Sequence, residues 1–204
     1  MTSEVTPPDF TDIVWLFTSN NSNRGVLRQN LNEAALLWKA ARASSGPILE
    51  IGRRHGGSTV LLATACPERE ITSIDLSPAH NQRCEDIFQQ IAKSDPNRLN
   101  LVVGDSRRSR DGERFGLMFI DGDHTYEGVK ADVVAHWSEL ETGSPAVFHD
   151  AVPNDGLQHE GKLNHHEGVK RVCEELIAHG CAVSVASAGS SLWLEKRAEL
   201  PEGF

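Results

Sequence analysis

Short apolar runs alternate with segments of helical periodicity along most of the chain, and this alternation restricts the fold more than any other feature of the sequence. Ile48 to Ile51, Ile71 to Ile74, Leu99 to Val103, Leu117 to Ile120 and Ala146 to Phe148 read as buried strands. Val60 to Ala65, Cys84 to Ile91 and Tyr126 to Trp137, lying between them, read as helices. Near-continuous apolar strands separated by helices call for a parallel sheet covered on both faces. Upstream, Leu31, Ala34, Ala35, Leu36, Leu37 and Trp38 share one face of a helix over Asn30 to Ala43, which Gly46 and Pro47 stop. Downstream, Val169 to Ile177 is helical. Ala182 to Ala186 and Leu192 to Leu194 then flank Ala188, Gly189 and Ser190 as a hairpin-like pair, which brings in an antiparallel strand. The expectation is a doubly wound α/β fold: a mostly parallel sheet of seven strands with an antiparallel C-terminal strand.

A chain of 204 residues suits one domain, with residues 1–45 as an N-terminal helical segment and residues 151–167, polar and carrying His159, His165 and His166, as a lid loop. No run approaches the roughly 18 apolar residues that span a bilayer, and Met1 to Asp9 lacks the apolar core of a signal peptide. A cytoplasmic location without membrane contact is expected. Acidic residues outnumber basic ones, 29 to 20, which excludes a broad nucleic-acid footprint; Arg107, Arg108 and Arg110 read as a solvated loop. Cys66, Cys84, Cys173 and Cys181 lack C-x-x-C spacing and read as packing thiols.

In an open α/β sheet, ligands bind outside the carboxyl ends of the strands. Those ends here hold Glu50, Asp75, Asp105, Asp121 and Asp150. Gly52, Gly56 and Gly57 allow a sharp turn and close backbone approach to a ligand, while Ser58 and Thr59 are positioned to cap the following helix. Asp75 follows Gly56 by 19 residues, near the spacing at which an acidic group meets ribose hydroxyls. At this level a nicotinamide cofactor and S-adenosylmethionine are both open.

Glu50-Ile51-Gly52-Arg53 through Gly56-Gly57-Ser58-Thr59, then Asp75, Gly104-Asp105-Ser106, Ile120-Asp121-Gly122-Asp123-His124-Thr125-Tyr126 and His149-Asp150, taken in that order, resemble class I S-adenosylmethionine-dependent methyltransferases. More narrowly, the chain is similar to the branch of macrocin-type sugar O-methyltransferases and cephalosporin-hydroxylase-like proteins, from about Leu31 to Leu194. The resemblance implies a Rossmann-like sheet and S-adenosylmethionine as donor. It implies that Glu50, Gly52, Gly56 and Ser58 line the methionine end, that Asp75 takes the ribose, that Asp105 and Ser106 lie by the adenine, and that Asp121 borders the cofactor. In that branch the Asp of an Asp-x-x-His run binds a divalent cation, its His is a general base, and an acidic pair at the next strand end completes the metal site. These map onto Asp121, His124 and His149-Asp150, giving His124, Asp121 and His149 as catalytic candidates and Asp121, Asp150 and His149 as metal ligands.

His149 departs from the acidic pair, and imidazole suits transition metals better than magnesium, so both classes of cation stay open. His149 would bind metal, orient Asp150 or act as a base. Two further questions are open: His124 is alternatively a cap for the helix near Tyr126, and Asp123 rather than Asp121 is alternatively the chemical residue. An alcohol attacking a sulfonium methyl must lose a proton, which a histidine accepts near neutral pH. The expected function is methyl transfer to a hydroxyl of a small-molecule acceptor, with a homo-oligomer as an open expectation. The alternatives are a metal-dependent oxygenase using His124, His149 and Asp150, and a non-catalytic cofactor-binding partner subunit.

Overall fold

The structure, a computed structural model, describes residues 10–17, 26–108, 112–153 and 165–204. Seven strands, β1 (Ile48–Ile51), β2 (Ile71–Asp75), β3 (Leu99–Val103), β4 (Leu117–Ile120), β5 (Pro145–Phe148), β6 (Ala182–Ala188) and β7 (Ser191–Lys196), form one sheet in the order β3-β2-β1-β4-β5-β7-β6. β7 runs antiparallel to both of its neighbours, and the pairs from β3 through β5 are parallel. The strand order reverses between β1 and β4, which opens the crevice typical of doubly wound sheets at their carboxyl edge. This is the architecture expected from the alternating pattern.

The helices are α1 (Leu31–Arg42), α2 (Gly57–Ala65), α3 (Gln82–Ser94), α4 (Tyr126–His136) and α5 (His165–Ala178). Strand side chains alternate between two cores. Ile48, Leu117, Phe119 and Val147 join a cluster with α1, α2 and α3, while Leu49, Ile51, Met118, Ile120, Ala146 and Phe148 join one with α4 and α5. Burial on both faces explains why the central strands read as unbroken apolar runs rather than alternating ones. The four cysteines are free and buried, in keeping with a packing role.

Several boundaries differ from the sequence reading for local reasons. α3 starts at Gln82 because the Asn81 side chain accepts from Arg83 N at 3.0 Å. α5 starts at His165, so the last residues of the expected 151–167 lid are helical, while residues 154–164, including His159, lie outside the described residues. Within residues 1–45, expected as an N-terminal helical segment, a 3-10 helix spans Phe10–Phe17; Ile13 and Leu16 are buried in the α1–α3 cluster. Among the described residues, no helix is long and apolar enough to cross a membrane.

Gly52 ends β1 at φ +92°, where a Cβ would stand 2.1 Å from Asp121 O. Both the conformation and the contact exclude a side chain. Gly52→Ala is expected to cost about 3 kcal/mol or more in urea unfolding. An unchanged midpoint would show that β1 and β4 do not approach as described.

Candidate active site

Ile51 pairs with Ile120, and Ile120 with Phe148, in parallel register. The next residue on each strand, Gly52, Asp121 and His149, therefore falls in one row across the carboxyl edge. Asp121 N donates to Ile51 O at 2.8 Å and His149 N to Ile120 O at 3.0 Å, so the ladder continues one step beyond the strands.

Four of the expected residues meet here. Asp121 Oδ1 lies 3.0 Å from His149 Nδ1 and 3.2 Å from His124 Nε2. Asp150 Oδ2 lies 3.3 Å from His124 Nδ1 and 3.5 Å from His149 Nδ1. Asp121, His124 and His149 each offer a ligand atom within 4.8 Å of the others. His149 is buried, yet neither ring nitrogen has an aligned hydrogen-bond partner despite the carboxylate oxygens around it. Orphaned imidazole nitrogens beside carboxylates are the donor set a divalent transition cation takes, so the residues present fit one.

The β4–α4 loop settles which residue caps α4 and shows which aspartate joins the cluster. Thr125, not His124, caps α4 by accepting from Gly128 N at 3.1 Å. Asp123 stabilises the turn by accepting from Thr125 N at 2.9 Å, which leaves Asp121 in the cluster. Gly168 lets the first turns of α5 abut this loop, since a Cβ there would meet His124 O at 2.4 Å. Tyr126 serves helix packing, donating from its hydroxyl to Glu175 of α5 at 2.8 and 2.9 Å.

Two residues join the cluster that sequence reasoning missed. Glu33, in the first turn of α1, places Oε2 3.5 Å from His149 Nε2 while accepting at Oε1 from Ser190 N (2.8 Å) and Ser190 Oγ (2.9 Å). It also closes a capping box with Asn30, and the pattern Asn30-x-x-Glu33 was the visible signal for at least its helix-starting role. Gln29 donates from Nε2 to Asp121 Oδ2 at 2.7 Å, and nothing in the local sequence announces that. Ser190 O in turn accepts from Ala151 N and Val152 N, tying the bend after His149-Asp150 to the β6–β7 turn. Asp150 at φ +56° is a non-glycine residue held in the left-handed region, a strain that ordered surroundings must hold.

Charge is balanced within the cluster. Burial opposes a charged His149, but Asp121, Asp150 and Glu33 outweigh it and push its pKa up to about 12. Burial likewise opposes a charged His124, and Asp121 and Asp150 raise its pKa. Burial would raise Asp121 and Asp150, but the histidines beside them drive both below the usual carboxylate range. For Glu33, burial is again overcome, by His149 and the Ser190 and Asn30 backbone donors, and its pKa falls to about 2.

The other half of the edge is built by the glycine turn. Gly56 precedes α2 at φ +92° with no side-chain cap, so Ser58 and Thr59 do not cap that helix as expected. Thr59 instead donates to Glu50 Oε2 at 2.5 Å, Ser73 donates to the same oxygen, and Oε1 of the fully buried Glu50 has no partner among the described residues. Burial pushes the Glu50 carboxyl up. Ser58 is buried in the first turn of α2. Asp75 accepts from Arg54 N at 2.6 Å and Ser77 N at 2.8 Å, bracing the turn. Asp105 is gripped by Arg107 through Nε and Nη2, both at 2.8 Å, and Ser106 donates to the buried Asp132 at 2.6 Å. Arg110 lies outside the described residues. A groove of about 570 Å³ opens at the opposite, amino edge, lined by Pro47, Thr72, Asn97 and Arg114, far from this chemistry.

A family model described as a methyltransferase domain matches residues 49–151, which hold both the glycine turn and the Asp121–Asp150 cluster. The chain belongs to this methyltransferase family. It is a class I, S-adenosylmethionine-dependent methyltransferase. A comparison with functionally characterised sequences finds no match. Solved structures resemble the methyltransferase in fold. A Staphylococcus aureus protein assigned as a caffeoyl-CoA O-methyltransferase is 13% identical with a TM-score of 0.65, covering 84% of this chain and 85% of that one. The Podospora anserina methyltransferase PaMTH1, solved with S-adenosylhomocysteine, is 15% identical with a TM-score of 0.62, covering 85% and 81%. The Streptomyces achromogenes O-methyltransferase TomG, solved with S-adenosylmethionine, is 17% identical with a TM-score of 0.57, covering 83% and 82%.

The depressed Glu33 pKa makes a signed prediction about the methyltransferase's stability. A lowered carboxylate pKa stabilises the fold above its unfolded value near 4.5, and the contribution disappears as pH falls through about 2. The gap in unfolding free energy between wild type and Glu33→Gln should be on the order of 2 kcal/mol at pH 6 and narrow steadily toward pH 2.5. A gap independent of pH in urea titrations would remove the ionic role of Glu33.

Proposed function

We propose that the methyltransferase moves the donor methyl to a hydroxyl oxygen of a small molecule, with a divalent cation, magnesium or a transition metal, at the acceptor end of the crevice. The observation that carries this reading is the cluster of Asp121, His124 and His149, in which the buried His149 ring nitrogens lack an aligned hydrogen bond, beside the glycine turn. The fold neighbours described as O-methyltransferases support it.

At the cofactor end, the uncapped amide groups that open α2, with Ser58, would receive the methionine carboxylate, as helix N-termini do for anions. Gly52 and Gly56 would let that end approach the backbone, with Glu50 beneath. Asp75 would accept from the ribose hydroxyls using the lone pairs that Arg54 N and Ser77 N leave free. Asp105 and Ser106 would border the adenine, and Asp121 would stand between donor and acceptor.

When bound, S-adenosylmethionine supplies a sulfonium methyl, and transfer forms a C–O bond as the C–S bond breaks, leaving S-adenosylhomocysteine and one proton. A cation held by Asp121, His149 and Asp150 would lower the acceptor hydroxyl's pKa. His124 would accept the released proton at a ring nitrogen, while the rigid strand ends hold the acceptor in line with the methyl. Two histidines with a carboxylate are also the donor types of iron oxygenases. The family match selects transfer over that chemistry. The acceptor is a small molecule rather than nucleic acid or membrane, in line with the acidic chain, and a homo-oligomer is compatible with the reading.

Methyl transfer from labelled S-adenosylmethionine to a panel of catechols, phenols and sugar hydroxyls, with and without chelator, tests the proposal. Chelator-sensitive O-methylation is expected. Tight S-adenosylhomocysteine binding without transfer to any acceptor would favour a non-catalytic subunit, and iron with oxygen uptake but no donor binding would defeat the reading. Asp75→Ala should weaken S-adenosylhomocysteine binding by about 1 to 3 kcal/mol in calorimetry; equal affinity removes Asp75 from the site. His124→Ala should leave that affinity intact and lower turnover roughly a hundredfold or more; wild-type turnover would reduce His124 to a structural part.

A further inference from the structure

Gln29 stands immediately before the N-cap of α1 and is 4% exposed. Its stretch of chain is pressed against the first turn of α2: a Cβ on Gly57 would meet Val26 O at 2.7 Å and the Leu27 backbone at 2.8 Å. From this wedged position Nε2 donates to Asp121 Oδ2 at 2.7 Å, while Oε1 is buried without a partner. The amide orientation follows from charge, because a flipped amide would set Oε1 against the Asp121 carboxylate.

The contact divides the two oxygens of Asp121. Oδ2 is occupied by the amide, and Oδ1 faces His149 Nδ1 at 3.0 Å and His124 Nε2 at 3.2 Å. His149 is divided in the same sense, with Glu33 Oε2 3.5 Å from Nε2 and the Asp121 and Asp150 carboxylates toward Nδ1. Partners of this kind fix which atom of a ligand faces a metal and hold it there.

We propose that Gln29 is a positioning residue for the cation site: its amide holds Asp121 as a single-oxygen ligand through Oδ1, and Glu33 holds His149 so that Nδ1 faces the same point. This rests on the cation reading above. The unpartnered Oε1 fits it, because a buried amide oxygen without a donor is costly and a hydrated cation brings O–H groups to the cluster.

Mn²⁺ alone, titrated into the full chain and followed by calorimetry and electron paramagnetic resonance, tests this without an acceptor. Gln29→Leu, and Gln29→Met should the first variant fold poorly, remove the amide at similar bulk. The expected result is Mn²⁺ binding weakened about 10- to 100-fold and an altered manganese spectrum, with S-adenosylhomocysteine affinity within about twofold of wild type. Equal Mn²⁺ affinity in wild type and variant overturns the role of Gln29 while leaving the cation reading standing. Parallel loss of Mn²⁺ and S-adenosylhomocysteine binding also overturns it, by reducing Gln29 to a part of the fold. A wild-type chain that binds S-adenosylhomocysteine but no Mn²⁺ overturns the cation reading, and the positioning role with it.

Discussion

The side-by-side termination of β1, β4 and β5 governs the rest of the molecule. Because Ile51, Ile120 and Phe148 are in register, Gly52, Asp121 and His149 leave the sheet as neighbours, and the backbone ladder reaches one residue past the strands to hold them. Gly52 has to be glycine for this to occur, since any Cβ would stand inside the Asp121 carbonyl group. The glycine turn and Asp121 are thereby fixed at van der Waals distance by the sheet itself. A site built on strand ends in this way has little freedom to drift, which suits a transfer whose rate depends on alignment.

Around that row, the protein compensates buried charge locally instead of avoiding it. Three carboxylates, Glu33, Asp121 and Asp150, face two imidazoles. Glu50, on the same α1–α3 face of the sheet, is held differently, its Oε2 accepting from the hydroxyls of Thr59 and Ser73. Beside it Arg53 turns inward, giving Nη1 to Ser73 O and Val102 O and Nε to His80. Turned inward in this way, Arg53 is 1% exposed. Lys196 follows the same rule far from the site, with Nζ satisfied by two carbonyls and Glu199.

What the sequence made legible was whatever depends on period and order. Strands buried on both faces leave unbroken apolar runs, and Asp121-x-x-His124 with His149-Asp150 is a local pattern, so the sheet and four members of the cluster could be placed. Gln29 and Glu33 could not, because their roles depend on how the start of α1 meets strand ends some 90 and 120 residues away, and a single sequence carries no trace of that packing. Thr59 reads as a cap by type, yet the αL glycine at position 56 turns the helix start so that its hydroxyl faces Glu50. The 3-10 form of Phe10–Phe17 within the expected helical segment was not legible, because its buried positions, Ile13 and Leu16, are three apart in a segment too short to show a period.

The composition of the cluster links its proton content to its cation content. The carboxylates that would hold a divalent ion are those that raise the pKa values of His124 and His149, so each group competes with a cation for the same negative charge. With both imidazoles protonated, the histidines take up most of that charge, and His124 is an acid rather than a base. Were Asp121 and Asp150 to hold a divalent cation, their pull on the His124 proton would weaken, because the positive charge stabilising the carboxylates would no longer have to come from imidazolium. Under the proposed function, filling the site would therefore release the base that the transfer needs, and His149-Asp150 in place of an acidic pair would couple the two.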